Sequence, residues 1–288
     1  SDIQNNKLKR HLGGLDVYFI ASGAMISSGL FVLPGIIFAK VGPISVFSYL
    51  IAGIMILPAV LANAELITAM PRAGGSYYFV ERSMGPALGT IGGFASWLSL
   101  SMKSAWSLIG IGAFTIFIYP DLTEWEIKLV AAGFCVFFTL LNLLSVKTAG
   151  KIQDLMVIPL LGILAFYIIY GGFQFEINKF IPFTSNEFSF EAFVTTIGMV
   201  FISYGGATNI SGIAEDVKKP EKNLFWGMII AFITILVIYF LSIFVLIGST
   251  EGNTLSSTLT TFSISIFKYL GNTGSIILAV AALLAFIT

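Results

Sequence analysis

Phe19-Ile-Ala-Ser-Gly-Ala-Met-Ile-Ser-Ser-Gly-Leu-Phe-Val-Leu-Pro-Gly35 is long and apolar enough to lie across a bilayer, yet it is built to resist being one helix. Its middle is Ser22, Gly23, Ser27, Ser28 and Gly29, where a plain transmembrane helix uses leucine and isoleucine. Each glycine costs about 1 kcal/mol relative to alanine inside a helix, and hydroxyls beside it can support a locally unwound backbone. Unwound backbone at that depth survives only where protein or a cavity surrounds it. Small residues also let two helices approach closely, which is the simpler reading of an isolated pair such as Gly89 and Gly93.

The same composition returns once, in Ser203-Tyr-Gly-Gly-Ala-Thr-Asn-Ile-Ser-Gly212. Between and beyond the two lie further apolar runs, giving eight in all: about 15–38, 44–68, 86–118, 127–146, 155–173, 190–213, 224–248, and one that starts near 272 and is still apolar at Thr288. A hydrocarbon core about 30 Å thick needs roughly 20 such residues in a helix. The ten-residue alternation of a membrane barrel is absent. The weak points therefore fall in spans one and six, five spans apart, as the first members of two five-helix units of opposite topology would be.

Composition agrees with the spans. Hydrophobic residues make up 57% of the 288 and charged residues only 10%, against about 25% in a soluble domain. Fifteen basic and fifteen acidic residues cancel, and the basic ones sit in short clusters between apolar runs, so nothing supports nucleic-acid binding. One cysteine, Cys135, and one histidine, His11, cannot make a disulfide framework or a Cys/His metal site, and mid-span His, Asp and Glu for acid–base chemistry are absent. No enzyme activity, metal or cofactor is expected.

Ten lysines and arginines flank the spans on the side of Lys7, Lys9 and Arg10, with Arg72, Arg82, Lys147, Lys151, Lys218, Lys219 and Lys222. Four, Lys40, Lys128, Lys179 and Lys268, lie opposite. Since cytoplasmic loops collect basic residues, the N-terminus is expected in the cytoplasm of a multi-pass cell-membrane protein. Span one then runs outward. Its outer half starts near Ser28, turning free N–H groups and a positive dipole end toward the midplane, where they suit a carboxylate. Span six runs inward, and its outer half ends near Ile202, turning the carbonyls of Phe201, Ile202 and Ser203 to the same place. A zwitterion fits that polarity.

Three stretches resemble the amino acid-polyamine-organocation transporter superfamily. Gly23-Ala-Met-Ile-Ser-Ser-Gly-Leu-Phe-Val-Leu-Pro-Gly35 is similar to its first-helix motif, Pro71-Arg-Ala-Gly-Gly-Ser-Tyr-Tyr78 to the loop after helix two, and Ala214-Glu-Asp-Val-Lys-Lys-Pro-Glu-Lys-Asn223 to the sequence after helix six. The resemblance runs from about Leu12 to the end and implies an all-α integral membrane fold with an inverted five-plus-five helix repeat and broken helices one and six. Residues 1–288 would form a single transporter domain, with helices one to five over about 15–173 and an incomplete second repeat, helices six to eight, over about 190–288, cut within helix eight. The resemblance places the substrate carboxylate on Ser28 and Gly29, its amino group on Met25, Phe201 and Ile202, and its side chain against Ser203, Tyr204 and Gly205.

Coupling stays open between sodium, a proton and obligatory exchange. Proton-coupled members carry a helix-five lysine where this chain has Pro159, acid-resistance exchangers a glutamate where it has Thr208, and of the helix-eight hydroxyls that complete a sodium site only Thr288 is present. Lys103 lies in the middle of span three, where a cation costs at least about 3 kcal/mol unless paired or wetted, so it should face the interior as a proton-coupling group or a fixed cation, or cap carbonyls structurally. Glu65, Glu215 and Asp216 are candidates for inner-gate ion pairs, or ordinary interfacial charge. The connections 174–189 and 249–271 are the longest on the outer side, with Leu259–Phe267 as a short helix folding inward. The expected function is movement of an amino acid or related amine across the bilayer by alternating access, with a potassium-type cation carrier of the same fold as the alternative.

Overall fold

The computed structural model describes residues 10–26, 28–72, 74–119, 121–144, 146–258 and 260–287. Ser27, Thr288, Lys7 and Lys9 lie outside them. Every element is helical, and no strand occurs among the described residues.

Span one is three pieces: α1 (Gly14–Met25), α2 (Ser28–Phe31) and α3 (Leu33–Val41). Helix α1 stops because Ile26 takes extended backbone, ψ 109°, after its N–H has closed on the Ser22 carbonyl. Helix α3 has Pro34 in its first turn, where the missing N–H costs nothing. A 3-10 turn, Gly42–Ile44, leads into α4 (Ser45–Ala69), which continues through Pro58. After the short α5 (Gly75–Met84) come α6 (Pro86–Ile118), α7 (Glu124–Leu144) and α8 (Val146–Gly172). Span six is α9 (Phe190–Tyr204) followed directly by twelve residues of 3-10 helix, Gly205–Asp216. The chain then makes α10 (Pro220–Ser249), α11 (Gly252–Ser256) and α12 (Thr261–Ile287).

Among the described residues, five helical stretches are long and apolar enough to cross a membrane: Leu33–Ala69, Lys151–Gly172, Phe190–Asp216, Pro220–Ser249 and Thr261–Ile287. Large apolar side chains on their outward faces, such as Ile54, Met55, Ile158, Ile169, Ile230 and Ile233, are more than half exposed or nearly so, as surfaces meant for lipid tails are. The last helix differs from the sequence expectation. It starts at Thr261, eleven residues before 272, and bends at Gly271, whose φ of 59° glycine alone adopts without cost. The segment expected as a connection is thus the first limb of a kinked helix.

Helix α1 packs on α8, α10 and the 3-10 segment, and α4 packs on α9 and α10, so the pieces of spans one and six lie at the centre. The two ends of the bundle are tied differently. At the N-terminal end, the His11 and Leu12 amides donate to the Asp216 carbonyl (2.8 and 3.0 Å) and Lys218 N–H to Leu12 (2.8 Å), joining the start of span one to the end of span six. At the far end, residues 174–189 dock on the turn after α3: Ser185 N–H donates to Val41, its hydroxyl to Lys40, and Ile44 N–H to Phe183. Lys179 donates to the Ser249 carbonyl, and a Cβ on Gly35 would overlap the Thr258 carbonyl. Among the described residues, three ion pairs, Glu124–Lys128, Glu176–Lys179 and Glu251–Lys268, lie at this far end; Glu65 joins none of them.

Candidate functional site

A helix that stops inside a membrane leaves carbonyls that no water can satisfy. Around the break in span one, side chains from three other helices supply the donors. Lys103 on α6 donates its ammonium to the Ala24 carbonyl. Tyr239 on α10 donates to Met25 at 2.7 Å, and Tyr49 on α4 donates to Gly29, beyond the break, at 2.9 Å. Tyr49, Tyr239 and Tyr204 are fully buried and their rings pack together, Tyr204 against Tyr239 at 5.0 Å and Tyr49 against Tyr239 at 5.9 Å. The Tyr204 hydroxyl donates to the Tyr49 carbonyl at 3.3 Å. These hydroxyls are the reason tyrosine, not phenylalanine, fills the centre of an apolar core.

The break after α9 is satisfied from within. Gly205 N–H closes on the Ile202 carbonyl, Thr208 donates its hydroxyl to Gly205 at 2.8 Å, and Ser211 donates to Thr208 at 3.2 Å. One outside group, Asn63 of α4, also donates to the Thr208 carbonyl at 3.1 Å. Where a gap near Ile202 is expected from the sequence, the chain instead tightens, two residues later, into 3-10 turns, and so long a 3-10 run is uncommon.

The two breaks touch. A Cβ on Gly206 would fall onto the Ala24 carbonyl and within 2.8 Å of the Met25 nitrogen, and one on Gly29 would overlap the Ser203 side chain. Only glycine permits both approaches.

A cavity of about 820 Å³ opens beside this contact, between α4, α5, α6 and the 3-10 segment. Lys103, Ile202 and Gly205 line it together with Asn63, Thr208 and Ser211, and Gly74, Gly75 and Tyr77 border it from the N-terminal part of α5. Of the residues expected at the substrate site, Lys103, Ile202 and Gly205 border this space. Met25, Gly29, Ser203 and Tyr204 are buried in the packing next to it, and Phe201 is exposed. Ser28 begins α2, and Ser27 and Thr288 lie outside the described residues.

Sequence reading missed the donors Tyr49 and Tyr239, which give no local signal: each is one tyrosine in a long apolar helix. It also placed Asp154 outside a span beginning at 155, whereas α8 starts at Val146 and carries Asp154 against Asp16 of α1, within hydrogen-bonding reach. Beside it, Gln153 donates to the Ile20 carbonyl at 3.5 Å. No cluster of metal ligands occurs among the described residues.

Comparison with known proteins gives a consistent picture. Residues 12–288 match the family model described as Amino acid permease. The chain is 27% identical over 249 residues to a branched-chain amino acid permease of Bacillus subtilis (strain 168), covering 81% of this chain and 53% of the relative. It is 28% identical over 258 residues to a lysine-specific permease of Lactococcus lactis subsp. cremoris (strain MG1363), covering 83% and 50%, and 25% identical over 255 residues to a serine/threonine exchanger of B. subtilis, covering 87% and 57%. The chain thus spans half to three fifths of the length of these curated relatives.

Proposed function

The chain belongs to the amino acid permease family, and we propose that it moves an amino acid or related amine across the cell membrane by alternating access. The observation that carries this reading is the contact of two interrupted spans at the centre of the bundle beside a cavity of about 820 Å³. Paired interruptions of this kind, in spans one and six, fit the inverted five-plus-five repeat, in which the second repeat would include α9 to α12. The N-terminal end is the cytoplasmic one in this reading, on the strength of its basic residues. The far end, where residues 174–189 dock on the turn after α3, is then the outer end.

The substrate's carboxylate meets the N–H groups at Ser28 and Gly29, at the start of α2, and its amino group shares the carbonyls of Met25, Phe201 and Ile202. Ser203, Tyr204 and Gly205 border the side chain. A carbonyl has two lone pairs, so Met25 can keep Tyr239 and still accept from an ammonium. Lys103 provides charge compensation: a fixed ammonium sits on Ala24, where a coupling cation would otherwise neutralise the helix end. Thr288 is retained as a candidate for the coupling site, with a proton or sodium as the ion.

Rocking of one helix group against the other then shifts the site's exposure, and a ligand drives this only by binding one state more tightly. A bare-cation carrier is disfavoured, because the relatives are amino acid transporters.

The test is a thermal-shift screen of the purified full-length protein with twenty amino acids, polyamines, Na⁺ and K⁺, followed by uptake into liposomes. An amino acid that raises the midpoint and is taken up supports the proposal; stabilisation by K⁺ alone, with no organic ligand, contradicts it.

A further inference from the structure

Lys103 stands about 25 Å along α6 from Pro86, in the lining of the cavity, with its ammonium on the helix-one break and Ile202 and Gly205 of span six sharing that lining. Among the described residues, no aspartate or glutamate lines that cavity. The carboxylates nearest by sequence to its lining are Glu65 and Glu81, next to Leu66 and Val80. The described ion pairs lie at the other end of the molecule, and Lys103 is in none of them. A backbone carbonyl holds the ammonium without supplying a counter-charge.

We infer that Lys103 sets the charge class of the substrate, admitting neutral and acidic amino acids and excluding those whose side chain carries an ammonium or guanidinium group. This rests on the proposed substrate site at the two breaks, because only a side chain directed into this space meets the lysine. A second cation within about 6 Å of Lys103 loses about a hundredfold in affinity at an effective dielectric near 20. Lys103 is then a specificity determinant: the α-ammonium and α-carboxylate are common to every amino acid, so the fixed positive charge discriminates only by repelling a second, side-chain cation, without a pocket shaped for any side chain. One relative is a lysine-specific permease, so cation acceptance is a property that members of this family differ in.

The experiment is a thermal-shift titration of the full-length protein with L-serine, L-leucine, L-glutamate, L-lysine and L-arginine, on wild type, Lys103→Arg, Lys103→Gln and Lys103→Glu. Wild type and Lys103→Arg are expected to respond to at least one of the first three and to neither cationic amino acid at a hundredfold higher concentration. Lys103→Gln should gain a measurable response to L-lysine or L-arginine, and Lys103→Glu a stronger one. Wild type that binds L-lysine or L-arginine as tightly as its neutral ligand overturns the inference and leaves the permease reading standing, as does a Lys103→Gln variant that folds, keeps its neutral ligand and still ignores both cations. Wild type that answers no amino acid of any charge overturns the permease reading, and the inference with it.

Discussion

The breaks in spans one and six look alike in the sequence and are held in opposite ways. After Met25, the backbone is extended and its carbonyls depend on Lys103, Tyr239 and Tyr49, each from a different helix. After Tyr204, the backbone coils on as 3-10 turns and is satisfied mainly by its own N–H groups and the hydroxyls of Thr208 and Ser211. The first break is a tertiary structure, existing only while α4, α6 and α10 are in place. The second is largely local. A moving part must change partners, and the break with borrowed partners is the one that a rearrangement of helices can remake.

That contrast can be broken most severely where the two regions meet. Gly206→Val drives side-chain carbon into the Ala24 carbonyl and the Met25 nitrogen, atoms fixed in backbone, and should cost more than about 3 kcal/mol, read as loss of monodisperse protein in detergent. Its neighbour is the control: Gly205 has φ −58° and open space around a Cβ, so Gly205→Ala should leave the melting midpoint within the equivalent of about 0.5 kcal/mol. Equal damage from both would mean that the breaks do not touch as described.

Next in size is Lys103→Met, which removes the charged donor from Ala24 and should destabilise by about 1.5–3 kcal/mol in a thermal melt. Tyr239→Phe and Tyr49→Phe each delete one neutral hydrogen bond and leave the rings in place, for about 1 kcal/mol apiece. Smallest of all is Thr208→Ala in the self-sufficient segment, expected at about 0.5 kcal/mol. A Thr208→Ala effect exceeding that of Tyr239→Phe would reverse the assignment of which break relies on outside support.

Legibility from sequence follows the same division. Glycines and serines in the middle of apolar runs announce that spans one and six cannot be uniform helices, because propensity and burial are local properties. Residues 22–29 do bracket the first interruption. The second was expected near Ile202 and lies after Tyr204, since Gly205 and Gly206 extend the helix as 3-10 turns where propensity alone suggests unwinding. Lys103 was legible as an inward cation because a charge at mid-membrane has to find something, but its acceptor, Ala24, is 79 residues away in sequence and had no signature. Tyr49, Tyr239 and the Asp16–Asp154 contact depend on which helices adjoin, and apolar runs of similar composition do not encode their neighbours. The bend at Gly271 was hidden for a related reason: 249–271 reads as a connection carrying a short helix over 259–267, whereas Thr261, Phe262 and Ile266 pack into the core as part of one kinked helix, Thr261–Ile287.

The central claim is that an amino acid is held at the helix-one break. Amide hydrogen exchange of the full-length protein, with and without a saturating amino acid identified in the thermal screen, addresses it directly. The account predicts slower exchange in peptides covering residues 26–30, whose N–H groups receive the carboxylate, with little change over 207–216. Unchanged exchange at 26–30 together with protection elsewhere would contradict it.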